Sequence, residues 1–157
     1  MSFAGEECPV DVVFVLDGSG SVAPAKWSLM ISFLNQLVGR MDIDNGNTRV
    51  GAVSYSTRVN SSFELDNYTT VSGVQSGISA LTHRRGETHT HLALKFVREN
   101  LLISEAGDRS DVPNVVVVLT DGGSRYPMDT QVCTLWNIDE ITSHINFGKY
   151  LKLMIIM

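Results

Sequence analysis

The chain has 157 residues, enough for one domain with its own core and too few for two domains of ordinary size. It carries 17 acidic and 12 basic side chains, a formal charge of −5, and this balance argues against a nucleic-acid binder. Hydrophobic residues make up 43% of the chain and charged residues 18%, which indicates a globular protein rather than a disordered one.

The first half of the chain predicts three strands and one helix. Residues 10–16 are nearly all apolar and β-branched, which is typical of a strand buried on both faces of a parallel sheet. Apolar residues then recur every three or four positions over residues 27–41, and predict a helix that Pro24 is suited to begin. Residues 50–56 predict another strand, and the alternation over residues 59–65 predicts a half-exposed edge strand.

The second half continues the alternation of helices and strands. Two apolar stripes at helical spacing, over residues 71–81 and 94–101, predict two more helices. Residues 114–119 repeat the apolar, β-branched character of the first strand and predict a second strand of the same kind. This order of elements predicts an α/β sandwich with a mostly parallel sheet covered on both faces.

The last stretch of the chain has a weaker pattern. Residues 129–144 are only loosely in phase with a helix, whereas the apolar octet 150–157 predicts one more strand, beside residues 114–119. This octet is shorter than the ~20 residues of a membrane-spanning helix, so we expect no membrane insertion. The N-terminus lacks the basic start and apolar stretch of a signal peptide, so we expect a cytosolic protein or a piece of a longer one.

The two most apolar predicted strands are each followed by an aspartate and a glycine. The first strand runs into Asp-Gly-Ser-Gly-Ser at 17–21, and the last into Thr-Asp-Gly at 120–122. Ligands of parallel α/β sheets bind beyond the carboxyl ends of the strands. If these two strands are neighbours, we therefore expect Asp17 and Asp121 to face each other across the ligand crevice.

The first of these sequences has the composition of a cation site. Asp17, Ser19 and Ser21 place three short oxygen side chains on one tight turn, and oxygen ligands of this kind suit Mg²⁺. Both Asp-Gly sequences also suit ordinary turns, and from the residues alone this alternative stays open.

Three segments together resemble the metal-ion-dependent adhesion site of the von Willebrand factor type A domain. They are residues 17–21, the sequence Gly-Glu-Thr-His-Thr at 86–90, and Leu-Thr-Asp-Gly at 119–122, in the family's order. The chain is most similar to the extracellular-matrix branch, the matrilins and type VI and related collagens, where a cysteine precedes the first strand as Cys8 does here. The resemblance implies a Rossmann-like fold with one antiparallel edge strand.

The resemblance also implies a ligand set for Mg²⁺, or for Mn²⁺ or Ca²⁺ in its place. Ser19, Ser21 and Thr88 would supply hydroxyl oxygens, and Asp17 and Asp121 would bind directly or through water. Because neutral hydroxyls dominate this set, the ion would keep most of its charge and attract an Asp or Glu carboxylate of a partner protein. The implied function is divalent-cation-dependent adhesion to an extracellular-matrix or cell-surface protein.

The resemblance ends before the chain does. We assign residues 8–132 to an incomplete von Willebrand factor A-type domain, and residues 133–157 to a divergent tail with a helix and a substitute strand as its candidate elements. Without such a strand, residues 115–119 would leave an exposed apolar edge that promotes aggregation. We therefore expect a truncated product or a fragment of a secreted matrix protein.

Other motifs have simpler explanations. We expect His83, His89 and His91 to be solvent-exposed loop residues, because no zinc-ligand pattern includes them. His89 and His91 lie two positions apart around Thr90 at a predicted helix start, so we expect their rings to point apart. Residues 42–46 resemble a calcium loop but lack its closing glutamate, and they predict a helix-to-strand turn. The chain has neither a nucleophile elbow nor a phosphate loop, so we expect no enzyme activity.

Asn60 and Asn67 each begin an N-glycosylation triplet, a pattern that also arises by chance. Two cysteines are too few for a disulfide framework, and we do not expect Cys8 to pair with Cys133.

Two alternatives to adhesion remain open. One is a structural domain for matrix assembly, in which the metal only supports the fold. The other is an intracellular relative that assembles protein complexes.

Overall fold

The computed structural model describes residues 8–121, residue 125 and the backbone of residues 151–156. In chain order the elements are β1 (Val10–Asp17), α1 (Pro24–Val38), β2 (Thr48–Tyr55), β3 (Val59–Phe63), α2 (Val71–Ser79), α3 (Thr90–Phe96), β4 (Asn114–Leu119) and β5 (Leu151–Ile156). A π-helical turn, Val97–Leu101, continues α3, and a 3₁₀ turn, Ser104–Ala106, follows it. The helix expected over residues 129–144 lies outside the described residues.

The five strands form one sheet in the order β3-β2-β1-β4-β5. β1 lies in its centre, parallel to β2 on one side and to β4 on the other, and β5 is parallel to β4. β3 pairs antiparallel with β2 at the opposite edge. The predicted α/β fold, with a mostly parallel sheet and one antiparallel edge strand, is confirmed.

Alternate residues of β1 pack on opposite faces of the sheet. Val12, Phe14 and Leu16 belong to the core that contains α1 and α2. Val13 and Val15 belong to a second core, formed with α3. Burying side chains of this size contributes about 1.5–3 kcal/mol each, which explains why the strand is apolar at successive positions rather than at alternate ones.

α1 and α2 begin where the sequence predicts but end earlier, whereas α3 begins at Thr90, before the predicted stretch 94–101. Pro24 stands in the first turn of α1, as expected. The helix ends at Val38, although the apolar stripe continues to Met41, which packs against the same core from the turn that follows. Leu81 is likewise buried beyond the last residue of α2. The apolar spacing therefore marks the buried face and not the end of the helix.

The turn predicted over residues 42–46 connects α1 with β2. The carbonyl of Asp42 accepts the N–H of Thr48, and its carboxylate accepts amide N–H groups from Asn47, at 2.5 Å, and Asn45, at 2.6 Å. These hydrogen bonds, that of Asn47 foremost, hold the pKa of Asp42 below its usual value. The carboxylate stabilises a turn at the amino end of β2, on the side of the sheet away from the two Asp-Gly sequences.

The last described strand lies along the outer edge of β4. The register pairs Asn114 with Leu151 and Leu119 with Ile156. Residues 151–156 of the final octet thus form the predicted strand, and β4 has a hydrogen-bonded neighbour on each side. In the part of the chain that the structure describes, no helix combines the length and the apolar character that crossing a bilayer would require.

Candidate metal centre

The carboxyl ends of β1 and β4 lie side by side, since their register places Leu16 beside Leu119. From β1 the chain continues to β2 on one side, whereas β4 lies on the other, so the winding of the sheet reverses between β1 and β4. Such a switch point opens a crevice at the carboxyl edge of the sheet, where ligands bind. Asp17 ends β1, and Asp121 follows two residues after the end of β4.

Asp17 is fully buried, and both of its carboxylate oxygens accept hydrogen bonds. Oδ1 accepts the backbone N–H of Ser19 at 2.9 Å, and Oδ2 accepts the hydroxyl of Thr120 at 2.6 Å. The first bond folds the turn after β1 back on its own aspartate, and the second joins that turn to the end of β4. Because a buried charge is costly unless it is hydrogen-bonded or paired, these bonds hold the carboxylate in one orientation.

The hydroxyls of the site form a chain that leads to the second aspartate. The Oγ atoms of Ser19 and Ser21 are 3.0 Å apart, and Ser21 Oγ donates to Asp121 Oδ1 at 2.9 Å. Ser19 is buried, whereas Ser21 is exposed. The structure therefore brings together Asp17, Ser19, Ser21 and Asp121. The first and the last of these residues lie more than a hundred positions apart in the sequence.

The spacing of these oxygens suits a small cation. Neighbouring ligands of an octahedral Mg²⁺ lie about 3.0 Å apart, because each is about 2.1 Å from the ion. The observed separations of 3.0 and 2.9 Å are compatible with such a ligand set, and they equally suit the hydrogen bonds that join the groups. Among the described residues no three His, Cys, Asp or Glu side chains converge as a metal site, so hydroxyls must contribute if a cation binds here.

The loop that carries Thr88 packs against the first turn of the site. Gly20 N–H donates to the carbonyl of Gly86 at 2.8 Å, and the carbonyl of Thr88 accepts the N–H of Arg125 at 2.7 Å. Thr88 is half-buried. These main-chain bonds place residues 86–88 between the turn after β1 and the segment after β4, and a ligand role for the Thr88 hydroxyl remains a proposal.

Gly86 has a conformation that other residues rarely adopt, with φ at +121°, and a Cβ there would lie 2.7 Å from Thr57 Oγ1. We expect Gly86→Ala to lower the free energy of unfolding by about 1–3 kcal/mol, and to weaken Mg²⁺ binding about tenfold by displacing the carbonyl that Gly20 contacts. Urea unfolding and calorimetric titration measure the two effects. Gly46→Ala is the matched control, because Gly46 also has a positive φ, +80°, but has open space around it and lies outside the site. Equal Mg²⁺ affinity in the two variants would contradict this role of Gly86.

Tyr55 lies beneath the site and was not singled out by the sequence. It ends β2 beside Asp17 in the register, is fully buried, and its hydroxyl is 3.0 Å from Thr90 Oγ1. Burial, and secondly the negative charge of Asp17, raise the pKa of Tyr55. The phenol therefore stays neutral and adds no second negative charge next to Asp17.

The predicted exposure of the histidines and the predicted divergence of the His89 and His91 rings are wrong. His83, His89 and His91 are half-buried rather than exposed. The ring of His83 stacks on Trp27 at 5.0 Å, and its Nε2 lies 3.4 Å from the carbonyl oxygen of Ser19. The rings of His89 and His91 lie 5.7 Å apart instead of pointing apart. His89 precedes α3 with non-helical backbone angles, φ −99° and ψ 64°, so the divergence expected of neighbours on a helix does not apply to it.

The two glycosylation triplets differ in accessibility. The side-chain nitrogen of Asn60 is buried and faces Gly18, while its oxygen accepts the hydroxyl of Ser56 at 3.1 Å. Asn67 is exposed, and its oxygen accepts the N–H of Glu64 at 2.7 Å. Because a glycan is attached through this nitrogen, the folded structure can carry one at Asn67 but not at Asn60.

We therefore expect the chain, expressed through a eukaryotic secretory pathway, to carry its glycan at Asn67. Asn67→Gln should remove the mass that peptide N-glycosidase releases, and Asn60→Gln should leave that mass unchanged. Mass spectrometry of both variants before and after the enzyme makes the comparison. Folded, secreted protein with a glycan on Asn60 would contradict the burial of that nitrogen.

This chain is similar to proteins of a known family. The family model described as "von Willebrand factor type A domain" matches residues 11–138. Von Willebrand factor A domain-containing protein 1 of Mus musculus is 37% identical over 75% of this chain and 28% of its own length. Matrilin-4 of Homo sapiens is 38% identical over 74% of this chain and 19% of its own. The chain thus spans less than a third of the length of either relative.

Two solved structures of proximal thread matrix protein 1 from the mussel byssus are similar in fold. One has a TM-score of 0.79 and 22% identity, and covers 95% of this chain and 39% of its own. The other, described with a "zinc occupied MIDAS motif", has a TM-score of 0.75 and 21% identity, and covers 95% and 37%. At these identities the likeness shows the fold alone.

Proposed function

This chain belongs to the von Willebrand factor type A domain family, and from that premise we propose that it is a divalent-cation-dependent protein-binding module. Asp17, Ser19, Ser21 and Asp121 would hold the cation, with Thr88 as a fifth candidate ligand. We further propose that an Asp or Glu side chain of a partner protein completes the site. The single observation that carries this proposal is the chain of contacts from Asp17 through the two serine hydroxyls to Asp121.

The chemistry of the site supports binding rather than catalysis. Hydroxyls make up most of the proposed ligand set, so a bound divalent cation would keep much of its charge and attract an outside carboxylate. Asp17 stays fixed by Ser19 and Thr120, and the neutral Tyr55 beneath it adds no negative charge. No acid, base or nucleophile is needed for this role, and we propose none.

Mg²⁺ is the ion that we propose, with Mn²⁺ or Ca²⁺ as substitutes. The separations of about 3.0 Å between oxygens are compatible with octahedral Mg²⁺. A similar site in the mussel byssus protein is described as holding zinc, which supports a divalent cation without specifying which one binds here.

We also propose an extracellular setting and a matrix or cell-surface partner, on the likeness to matrilins. In this proposal residues 8–132 form an incomplete domain of this family, and residues 133–157 form a divergent tail. An exposed Asn67 that can carry a glycan agrees with a secreted protein.

A carboxylate-bearing peptide tests the proposed function directly. Two synthetic peptides, identical except for one Glu or Gln in a neutral Gly/Ser frame, are titrated into the full chain with Mg²⁺ and with EDTA. The Glu peptide should bind only when Mg²⁺ is present, and the Gln peptide should not bind. The proposal would be contradicted if the two peptides bound equally well, or if the Glu peptide bound as well in EDTA as in Mg²⁺. If chelation lowers the melting temperature and neither peptide binds, the ion has the purely structural role.

A further inference from the structure

Charge is distributed unevenly over the two ends of the sheet. Among the described residues around the candidate metal centre, five are basic, Lys26 in the first turn of α1 and Arg58, Arg84, Arg85 and Arg125 in loops, and apart from the proposed ligands one is a carboxylate, Glu87. Among the described residues, seven acidic residues lie in the loops and the 3₁₀ turn at the opposite end, namely Asp42, Asp44, Glu64, Asp66, Glu105, Asp108 and Asp111. A chain of net charge −5 therefore presents a locally basic face around its site.

Three of these basic residues are exposed and have no carboxylate partner in the part of the chain that the structure describes: Arg58, Arg84 and Arg85. We refer to these three residues as the arginine rim. The other two basic residues have partners, because the Lys26 ammonium lies 3.5 Å from Asp121 and the Arg125 guanidinium lies 3.8 Å from Glu87. Within the described residues, no carboxylate therefore neutralises the guanidinium groups of the rim, and all three residues are exposed.

The rim belongs to loops that are bonded to the site. Arg84 and Arg85 stand between His83, whose ring nitrogen is 3.4 Å from the Ser19 carbonyl, and Gly86, whose carbonyl accepts Gly20 N–H at 2.8 Å. Arg58 neighbours Thr57, whose hydroxyl accepts the N–H of Glu87 at 3.0 Å. The three arginines are therefore neighbours in sequence of residues that contact the turn after β1 or the loop of residues 86–88.

We propose that the partner is an acidic polypeptide segment, in which the carboxylate taken up at the metal centre is flanked by further Asp or Glu residues that contact the arginine rim. This inference rests on the proposed function. Carboxylate and guanidinium groups form paired hydrogen bonds of good geometry, which suits a segment with several acidic side chains. A sulfated polysaccharide would use the arginines without needing the metal, and for this reason a carboxylate-rich protein is the better match to a rim placed beside a cation site.

A third peptide tests the inference, with the same central Glu flanked on both sides by additional Glu residues. With Mg²⁺ and at low ionic strength, it should bind the full chain about five- to tenfold more tightly than the single-Glu peptide, and this advantage should shrink at high salt. Arg84→Glu with Arg85→Glu should remove the advantage and retain binding of the single-Glu peptide. Arg40→Glu, an exposed charge change at the opposite end, should alter neither affinity.

The outcomes separate the two proposals. If the single-Glu peptide binds and the flanking residues add nothing, the arginine rim has no such role and the metal site stands. If neither peptide binds, the proposed function itself is wrong. Heparin that binds as tightly in EDTA as in Mg²⁺ would identify a polyanion site and overturn the acidic-segment proposal. Arg85 has a φ of +58°, a conformation in which a substitution can disturb folding. If the double variant does not fold, Arg84→Glu alone provides the comparison, because Arg84 has an ordinary backbone conformation.

Discussion

Asp17→Asn is expected to weaken Mg²⁺ binding by about a hundredfold or more while leaving the protein folded. The change removes the negative charge of a fully buried side chain and keeps its shape. The asparagine oxygen can still accept the N–H of Ser19, and the Thr120 hydroxyl can rotate to accept from the new amide. The loss of stability should therefore stay near about 1 kcal/mol, whereas the loss of affinity should be large.

Calorimetric titration with Mg²⁺ measures this effect, and urea unfolding measures the accompanying change in stability. Asp111→Asn is the matched control, because it removes the same charge from an exposed residue that precedes β4 at the other end of the sheet. Its Mg²⁺ affinity should equal that of the unchanged chain. A folded Asp17→Asn variant that binds Mg²⁺ as well as this control would show that the buried carboxylate is not part of a metal site.

Arg109→Ala is expected to cause the largest loss of stability, about 3–5 kcal/mol, because it removes the positively charged partner of a buried carboxylate. Asp11, in β1, is fully buried and accepts three hydrogen bonds from Arg109, from the backbone N–H, Nε and Nη2, at 2.7–2.9 Å. The same guanidinium also donates to the carbonyls of Val10, Gly46 and Asn47. It therefore joins β1, the turn before β2 and the segment before β4 at the amino end of the sheet.

A loss of this size is a large fraction of the 5–15 kcal/mol by which domains of about this size are stable, and chemical unfolding in urea resolves it easily. Arg98→Ala provides the comparison, since Arg98 pairs with Glu99 at the surface at 2.8 Å and such exposed pairs contribute about 1 kcal/mol or less. A similar, small loss in both variants would mean that the Asp11–Arg109 pair does not stabilise the fold as described. Where Arg109→Ala remains folded, its Mg²⁺ affinity should be unchanged, because the pair lies at the far end of the sheet.

The strands were the most predictable part of the fold. β1 and β4 are buried between two layers of helices, so their apolar runs leave no other reasonable interpretation. Helix ends were less predictable, because Met41 and Leu81 prolong the apolar spacing from turns in which the backbone is no longer helical. The sequence does not distinguish the π-helical turn Val97–Leu101 from an α-helix. Val97 and Leu101 are buried in the turn, and they would also lie on the buried face of an α-helix.

In the candidate site, the sequence predicted the parts that follow from strand neighbours. Once β1 and β4 are adjacent, Asp17, Ser19, Ser21 and Asp121 must meet at the same edge of the sheet. It did not predict the contacts between loops that are distant in sequence, such as the stacking of His83 on Trp27. Nor did it predict the burial of the Asn60 side-chain nitrogen against the turn after β1. These contacts depend on how the loops pack, which no local pattern records.

Isothermal titration of the folded chain with MgCl₂ tests the central claim most directly, namely that oxygen atoms from residues distant in sequence form a cation site. The account predicts one saturable site per chain, competition by Mn²⁺, and loss of the signal in Asp17→Asn but not in Asp111→Asn. A folded chain that takes up neither ion, or that binds both as well in the Asp17→Asn variant, would contradict it.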